Sequence, residues 1–309
     1  MPTRAAVRPS PLAGLAATCA AATGALYVLL LRSYDGQQLD QRALDRRALA
    51  AKPARYAIHT LLTTISVGML VVVIAILVGQ AIVRRRPPLA LVAAAIVGGA
   101  PLWTEAHKHL LDRPSLFPGE PFGNTFPSGH TTVAFAVGIA ATLVAPPHLR
   151  RAVGAGAALY GAAVGIAVVA AGWHRPSDVA GAYLVVTGWA ALVALAALIR
   201  FPGLFSAAAH DAGERRGEPI LAPRHLLLAG IALAGGYVAL LAFVLARRGS
   251  DIDWTLPGGT FLAAGAMLAV LAALLTAALL AALHAARADA GGHEDRTAAG
   301  TLVRSGELR

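Results

Sequence analysis

Cysteine is nearly missing from this chain: Cys19 is the only one in 309 residues, so neither an intramolecular disulfide nor a thiolate metal site is available. Charge is scarce too, at 14% of residues against 57% hydrophobic, and the mean hydropathy is positive, a balance that argues against a soluble globular domain. Aromatic residues make up only 6%, and they are not interleaved with the basic ones in a single stripe. The net charge of +10 therefore does not read as a nucleic-acid surface. No repeat is strong enough to mark inverted halves of a transporter. No convincing cleavage site follows the first apolar run, which also exceeds a typical signal-peptide h-region, so it reads as a retained helix.

Long apolar runs are what the chain has in quantity. Crossing roughly 30 Å of hydrocarbon takes about 20 residues, and eight stretches qualify: 11–31, 57–83, 88–106, 129–146, 152–172, 178–199, 225–246 and 259–284. The expected fold is all-α, a polytopic helical membrane protein. Residues 1–199 form a six-span core, 200–224 a cytoplasmic linker rich in Pro, Gly and charge, 225–284 two further spans, and 285–309 a polar tail expected to be disordered. Within the fifth run, "GAAVG" at Gly161 to Gly165 offers a small-residue face for close helix packing.

Basic residues fall between the apolar runs. With the N-terminus inside, 15 of the 26 Lys and Arg lie on the inner side, and six of the outer 11 sit in one loop, Arg32 to Arg55. That loop also carries Asp35, Asp40 and Asp45 and is expected to form an amphipathic surface helix. Setting it aside, the bias favours a cytoplasmic N-terminus.

Ionisable groups at membrane depth are expensive, so those near span ends are candidates for function. They form three clusters. "EAHKHLLDRP" at 105–114 follows the third run and presents Lys108 and Arg113 to an anion. "NTFPSGHTT" at 124–132 leads from a turn into a helix whose first N–H groups, near Ser128, Gly129 and His130, suit phosphate oxygens. "GWHRPSD" at 172–178 sets His174 and Asp178 four apart, on one side of a helix that begins near Pro176, so Asp178 can accept from Nδ1 and leave Nε2 free to attack. Eight spans put all three clusters on the same, external, face. Between the first two, Phe117, Phe122 and Phe126 suit either a lip touching lipid chains or a packed external loop.

The ordered set Lys108, Arg113-Pro114, Pro127-Ser128-Gly129-His130 and His174 with Asp178 resembles the type-2 phosphatidic acid phosphatase (lipid phosphate phosphatase) superfamily over roughly residues 55–200. The resemblance implies a membrane phosphatase that hydrolyses a lipid phosphate monoester or diphosphate through a phosphohistidine. It implies His174 as nucleophile, Asp178 as its orienting partner and His130 as the acid that protonates the leaving oxygen. It assigns Lys108, Arg113, Ser128 and Gly129 to the phosphate, and no metal or other cofactor. Membrane lipid and its phosphate are the expected partners, in the plasma membrane with the site on the non-cytoplasmic face.

The pattern departs from the family in two places. Four residues separate Lys108 from Arg113 where six are usual, and Ala167-Val168 stands where a Ser-Arg pair is expected upstream of the third-motif histidine. Losing one such electrostatic donor costs about 10²–10³ in rate. Arg175, beside His174, is the candidate substitute. The rival expectation is a catalytically weak or inactive lipid-phosphate-binding protein, or a small transporter.

Overall fold

The computed structural model describes residues 10–45, 56, 58–63, 65–116, 123–201, 204–205 and 259–306, with 287–306 as backbone only. The described residues are helical and contain no strand. Helix α1, Ser10–Leu26, runs on as a π-helical turn, Tyr27–Leu31, and α2 covers Tyr34–Asp45. After a helical piece at 58–63 come α3 (Val67–Val83), α4 (Pro87–Leu110), α5 (Gly129–Val144), α6 (Arg150–Ala170), α7 (Pro176–Arg200) and α8 (Gly259–Gly306). Ser10–Leu31, α4, α6, α7 and the Gly259–Ala286 part of α8 are long and apolar enough to cross a membrane, while α3 and α5 are shorter apolar helices. The chain is a polytopic helical membrane protein.

Local chemistry explains where the elements depart from the expected runs. The second run is broken before α3, because the Ser66 hydroxyl accepts from Met69 N–H at 3.1 Å and starts a new helix there. Helix α4 continues to Leu110, which puts Lys108 in its last turn and not after the span. Helix α5 stops at Val144 because Pro146 and Pro147 cannot extend it. Pro176 opens α7 as a first-turn proline, so Asp178 lies inside the first turn. Helix α8 runs to Gly306, beyond the expected onset of disorder at 285; propagating an existing helix avoids the nucleation cost that an isolated tail would face. The expected span at 225–246 and most of the linker lie outside the described residues, but Leu204 and Phe205, at the start of that linker, are buried against the core.

Helix α7 is the axis of the bundle, packed against α1, α4, α5 and α8. Helix α6 crosses it through the small residues of "GAAVG". The Tyr183 hydroxyl of α7 donates to Gly161 O at 2.8 Å, and its ring lies 4.9 Å from that of Phe135 on α5. A Cβ at Gly161 would come within 2.6 Å of Phe135 Cδ2, and one at Gly165 within 2.6 Å of Val179 Cγ1. Gly165→Val is therefore expected to destabilise the protein by about 1–3 kcal/mol through overpacking. Gly156→Ala, on the same helix with open space around it, is expected to leave the thermal midpoint in detergent unchanged or raised.

Three arginines gather at one end of the bundle. Arg84 Nη1 donates to Val144 O at 2.5 Å, Arg86 Nη1 to Leu204 O at 3.0 Å, and Arg150 Nη2 to Leu143 O and Ala145 O at 3.2 and 3.1 Å. Arg84 and Arg150 satisfy carbonyls left open where α5 ends, and Arg86 satisfies one in the segment after α7. The ionisable clusters of the sequence lie at the other end.

Candidate active site

The site grows from the first turns of α5 and α7. Ser128 caps α5, its hydroxyl accepting from Thr131 N–H at 3.4 Å, and its own N–H donates to the Asp178 carbonyl at 2.9 Å. That bond ties the two helix starts together. Thr132 Oγ1, whose hydroxyl donates to Ser128 O at 2.8 Å, also lies 2.9 Å from Thr104 Oγ1 of α4, so the third helix is drawn to the same point. Phe126, just before, is fully buried; a Cβ at Gly181 would collide with its ring. Phe126 is thus a wedge between segments and forms no lip, because packing on Gly181 removes its whole surface from solvent. Phe117 and Phe122 lie outside the described residues.

Asp178 is completely buried and fully used. Its Oδ2 accepts from Thr125 Oγ1 at 2.6 Å, from the Arg175 N–H at 3.0 Å and from His174 Nδ1 at 3.3 Å, and its Oδ1 from Arg113 Nη1 at 3.2 Å. The bond to Arg175 N–H is the reach of an N3 side chain back to the N-cap. The one to His174 fixes the ring and directs Nε2 away from Asp178. His174 keeps 12% of its side-chain surface exposed.

His130 sits in the first turn of α5, its ring 5.2 Å from that of Trp173, the residue before His174. His174 and Lys108 are the ionisable side chains that act on it electrostatically. Lys108 Nζ pairs with Glu105 Oε1 at 2.7 Å and stands 3.7 Å from where a Cβ of residue 129 would be. Glycine at 129 thus keeps the space between that ammonium and the N–H groups of α5 open, room that suits an oxyanion.

The two candidate arginines behave differently from a freely presented clamp. Arg113 follows α4; its side chain is 1% exposed, with Nη1 on Asp178 and Nη2 3.4 Å from Asp40 Oδ2. Its Nε is buried with no hydrogen-bond partner among the described residues. Arg175 is also buried, its Nε donating to Gln41 Oε1 at 3.0 Å. Val168, where the family pattern has arginine, is an apolar core residue with no exposed surface.

Helix α2 is the helix expected in the first loop, and the part the sequence did not disclose is what its inner face touches. It is amphipathic, as expected for that loop: Tyr34, Asp35, Leu39, Arg42 and Asp45 are exposed, and the face carrying Gly36, Gln37, Asp40, Ala43 and Leu44 is buried. Its polar groups meet the site: Gln37 Nε2 donates to Pro114 O at 2.7 Å, and Asp40 accepts from Ser177 N–H at 2.9 Å and from Ser177 Oγ at 2.5 Å. Burial and the charge of Asp178 push the Asp40 carboxyl up to about 6, against the opposing pull of Ser177 and Arg113. The 3.6-residue spacing of Gln37, Asp40 and Leu44 marks them as one face of that helix, but spacing does not tell what the face packs against.

No curated protein and no solved structure matches the chain. The PAP2 superfamily profile matches residues 16–201, from within α1 to the end of α7, and so takes in every group brought together above. That span is more than half of the chain, and the protein is a member of the PAP2 superfamily, a family of phosphatases acting on phosphate esters.

Proposed function

We propose that the protein hydrolyses a lipid phosphate monoester or diphosphate by way of a phosphohistidine on His174, without a metal. The observation that carries this reading is the meeting, at one end of the bundle, of the His174–Asp178 pair with His130, Lys108 and the capped start of α5.

In the first step His174 Nε2 attacks phosphorus. The P–O bond to the lipid breaks, and the leaving oxygen takes the proton of His130. In the second, water attacks the phosphohistidine, His130 takes the water's proton, and the P–N bond breaks to release inorganic phosphate. Asp178 holds Nδ1–H throughout and stabilises the positive charge that the ring carries while it is phosphorylated. Lys108, the Gly129 and His130 amides and Arg113 Nε face the charge on the transferring group, with Ser128 capping the helix start that presents those amides and Arg175 supporting that wall from the α2 side. Neutral His174 and protonated His130 are needed together, so the rate profile is expected to be bell-shaped.

The arginine-lined end of the bundle opposes the site. Positive residues mark the cytoplasmic side, which supports a site on the non-cytoplasmic face of the plasma membrane. Val168 in place of an arginine favours a second reading, a slow or inactive lipid-phosphate-binding protein. The test is phosphate release from phosphatidic acid, phosphatidylglycerol phosphate and a polyprenyl diphosphate in detergent with EDTA. Release from at least one of these, with an acid-labile and base-stable label left on the protein, is the expected result. Binding without release would establish the second reading, and release only when metal is restored would refute the metal-free route.

A further inference from the structure

Asp40 lies on α2, outside the spans, yet it is 4% exposed and reaches the heart of the site. Its Oδ1 accepts from Ser177 N–H, and its Oδ2 both accepts from the Ser177 hydroxyl and lies 3.4 Å from Arg113 Nη2. Nη2 and Nε form the side edge of the guanidinium, an edge on which arginine takes two oxygens of a phosphate at once. Nη1, on the other edge, is held by Asp178 at 3.2 Å. Nε is buried and has no hydrogen-bond partner among the described residues. The fork is therefore half taken, through a contact longer than a good charge-assisted hydrogen bond.

The geometry points to Asp40 as a competitor built into the phosphate site, an affinity-determining carboxylate that occupies the Nε/Nη2 edge of Arg113 until an oxyanion displaces it. This rests on the reading above that Arg113 faces a phosphate, and adds to it a control on how tightly that phosphate is held.

The competition depends on the charge of Asp40. Arg113 from the segment after α4 and Asp178 from α7 are the charged groups acting on it. The neighbouring turn after α1 directs the Tyr27 hydroxyl elsewhere, to Asp112 O, and α8, which also packs on α2, has no ionisable residue before His284. The Asp40 carboxyl titrates above the ordinary aspartate range, so the protonated form is populated as pH falls through its folded-state value. Protonation removes the charge that holds Nη2, and the Oδ2 hydroxyl then donates to Ser177 Oγ. Oxyanion affinity therefore rises as pH falls, and an arriving dianion beside Asp40 draws the proton further.

The test is equilibrium binding of sulfate, a tetrahedral dianion that does not itself titrate between about pH 5 and 8, to the full-length protein in nanodiscs, comparing wild type with Asp40→Asn. Asn keeps the Ser177 contacts and drops the charge. Near pH 8 the variant is expected to bind about tenfold more tightly, the worth of one competing charge-assisted hydrogen bond. Below about pH 5 the two are expected to converge as Asp40 protonates. Every other ionisable group is common to the two proteins, so the affinity ratio isolates Asp40. Asp40→Ser serves as a second variant with the same expectation if Asp40→Asn does not reach the wild-type helical signal. Equal or weaker binding near pH 8, a ratio that does not change with pH, or no sulfate binding by wild type would overturn the proposal. Failure of the phosphatase reading is separate: it appears as turnover that survives His174→Ala, whatever the sulfate ratio.

Discussion

Replacing His174 by alanine is expected to lower phosphate release by roughly 10⁴-fold or more, the scale on which removing a covalent nucleophile acts. Without Nε2 the phosphoryl group has no nitrogen to accept it, and the remaining route is direct attack by water in a site arranged for two successive displacements. Lys108 and the start of α5 are untouched, so binding of inorganic phosphate should change by less than about tenfold. The ring retains 12% of its surface and its bond to Asp178 is 3.3 Å long, so the thermal midpoint should move little. Turnover and phosphate binding, measured on the same preparation, check this directly. A variant keeping a tenth of wild-type turnover would remove His174 from the chemistry.

Asp178→Ala is expected to be the most damaging change to fold and activity together. Four donors lose their acceptor: the Thr125 hydroxyl, the Arg175 N–H, His174 Nδ1 and Arg113 Nη1. Arg113, 1% exposed, would keep only its long contact to Asp40. Breaking a buried pair by removing one partner costs about 3–5 kcal/mol. Asp178→Asn separates the two roles. It retains the volume and one oxygen, so part of the thermal midpoint should return, but its NH₂ group faces donors and it cannot hold the charged ring. Turnover should then remain down by about 10³–10⁴-fold, the order seen when a histidine loses its orienting carboxylate. Thermal unfolding and turnover at saturating substrate distinguish them, and full recovery of turnover in Asp178→Asn would contradict an orienting role for the carboxylate charge.

Span count alone placed Lys108, Ser128, His130 and His174 at one end of the bundle, because alternating crossings leave the third and fifth connections on the same face. The four-residue spacing of His174 and Asp178, with proline between them, was enough to foresee a helix start that turns both side chains the same way. Helix α2 was harder to read. A loop dense in charge looks solvated, and only long-range packing tells that Asp40 and Gln41 point at Ser177 and Arg175. Arg113 shows the same limit: its type and position suggested a phosphate ligand, whereas which of its nitrogens are taken by carboxylates depends on residues 65 and 73 positions away. The interruption before α3 went unseen because hydropathy does not register a hydroxyl that caps a helix inside an apolar run.

The interlock of Tyr183 with Gly161 and Gly165 also bears on how a lipid reaches the chemistry. Tyr183 lies five residues beyond Asp178, about 7.5 Å deeper along α7. At that depth the crossing of α6 and α7 is closed by a ring seated against bare backbone, and prising it apart would strip the tyrosine of its hydrogen bond. On the lipid-phosphate reading proposed above, an acyl or prenyl chain attached to a bound phosphate has to lie along another flank of the bundle, and chain-length preference should respond to changes there and not to the residues lining this seam.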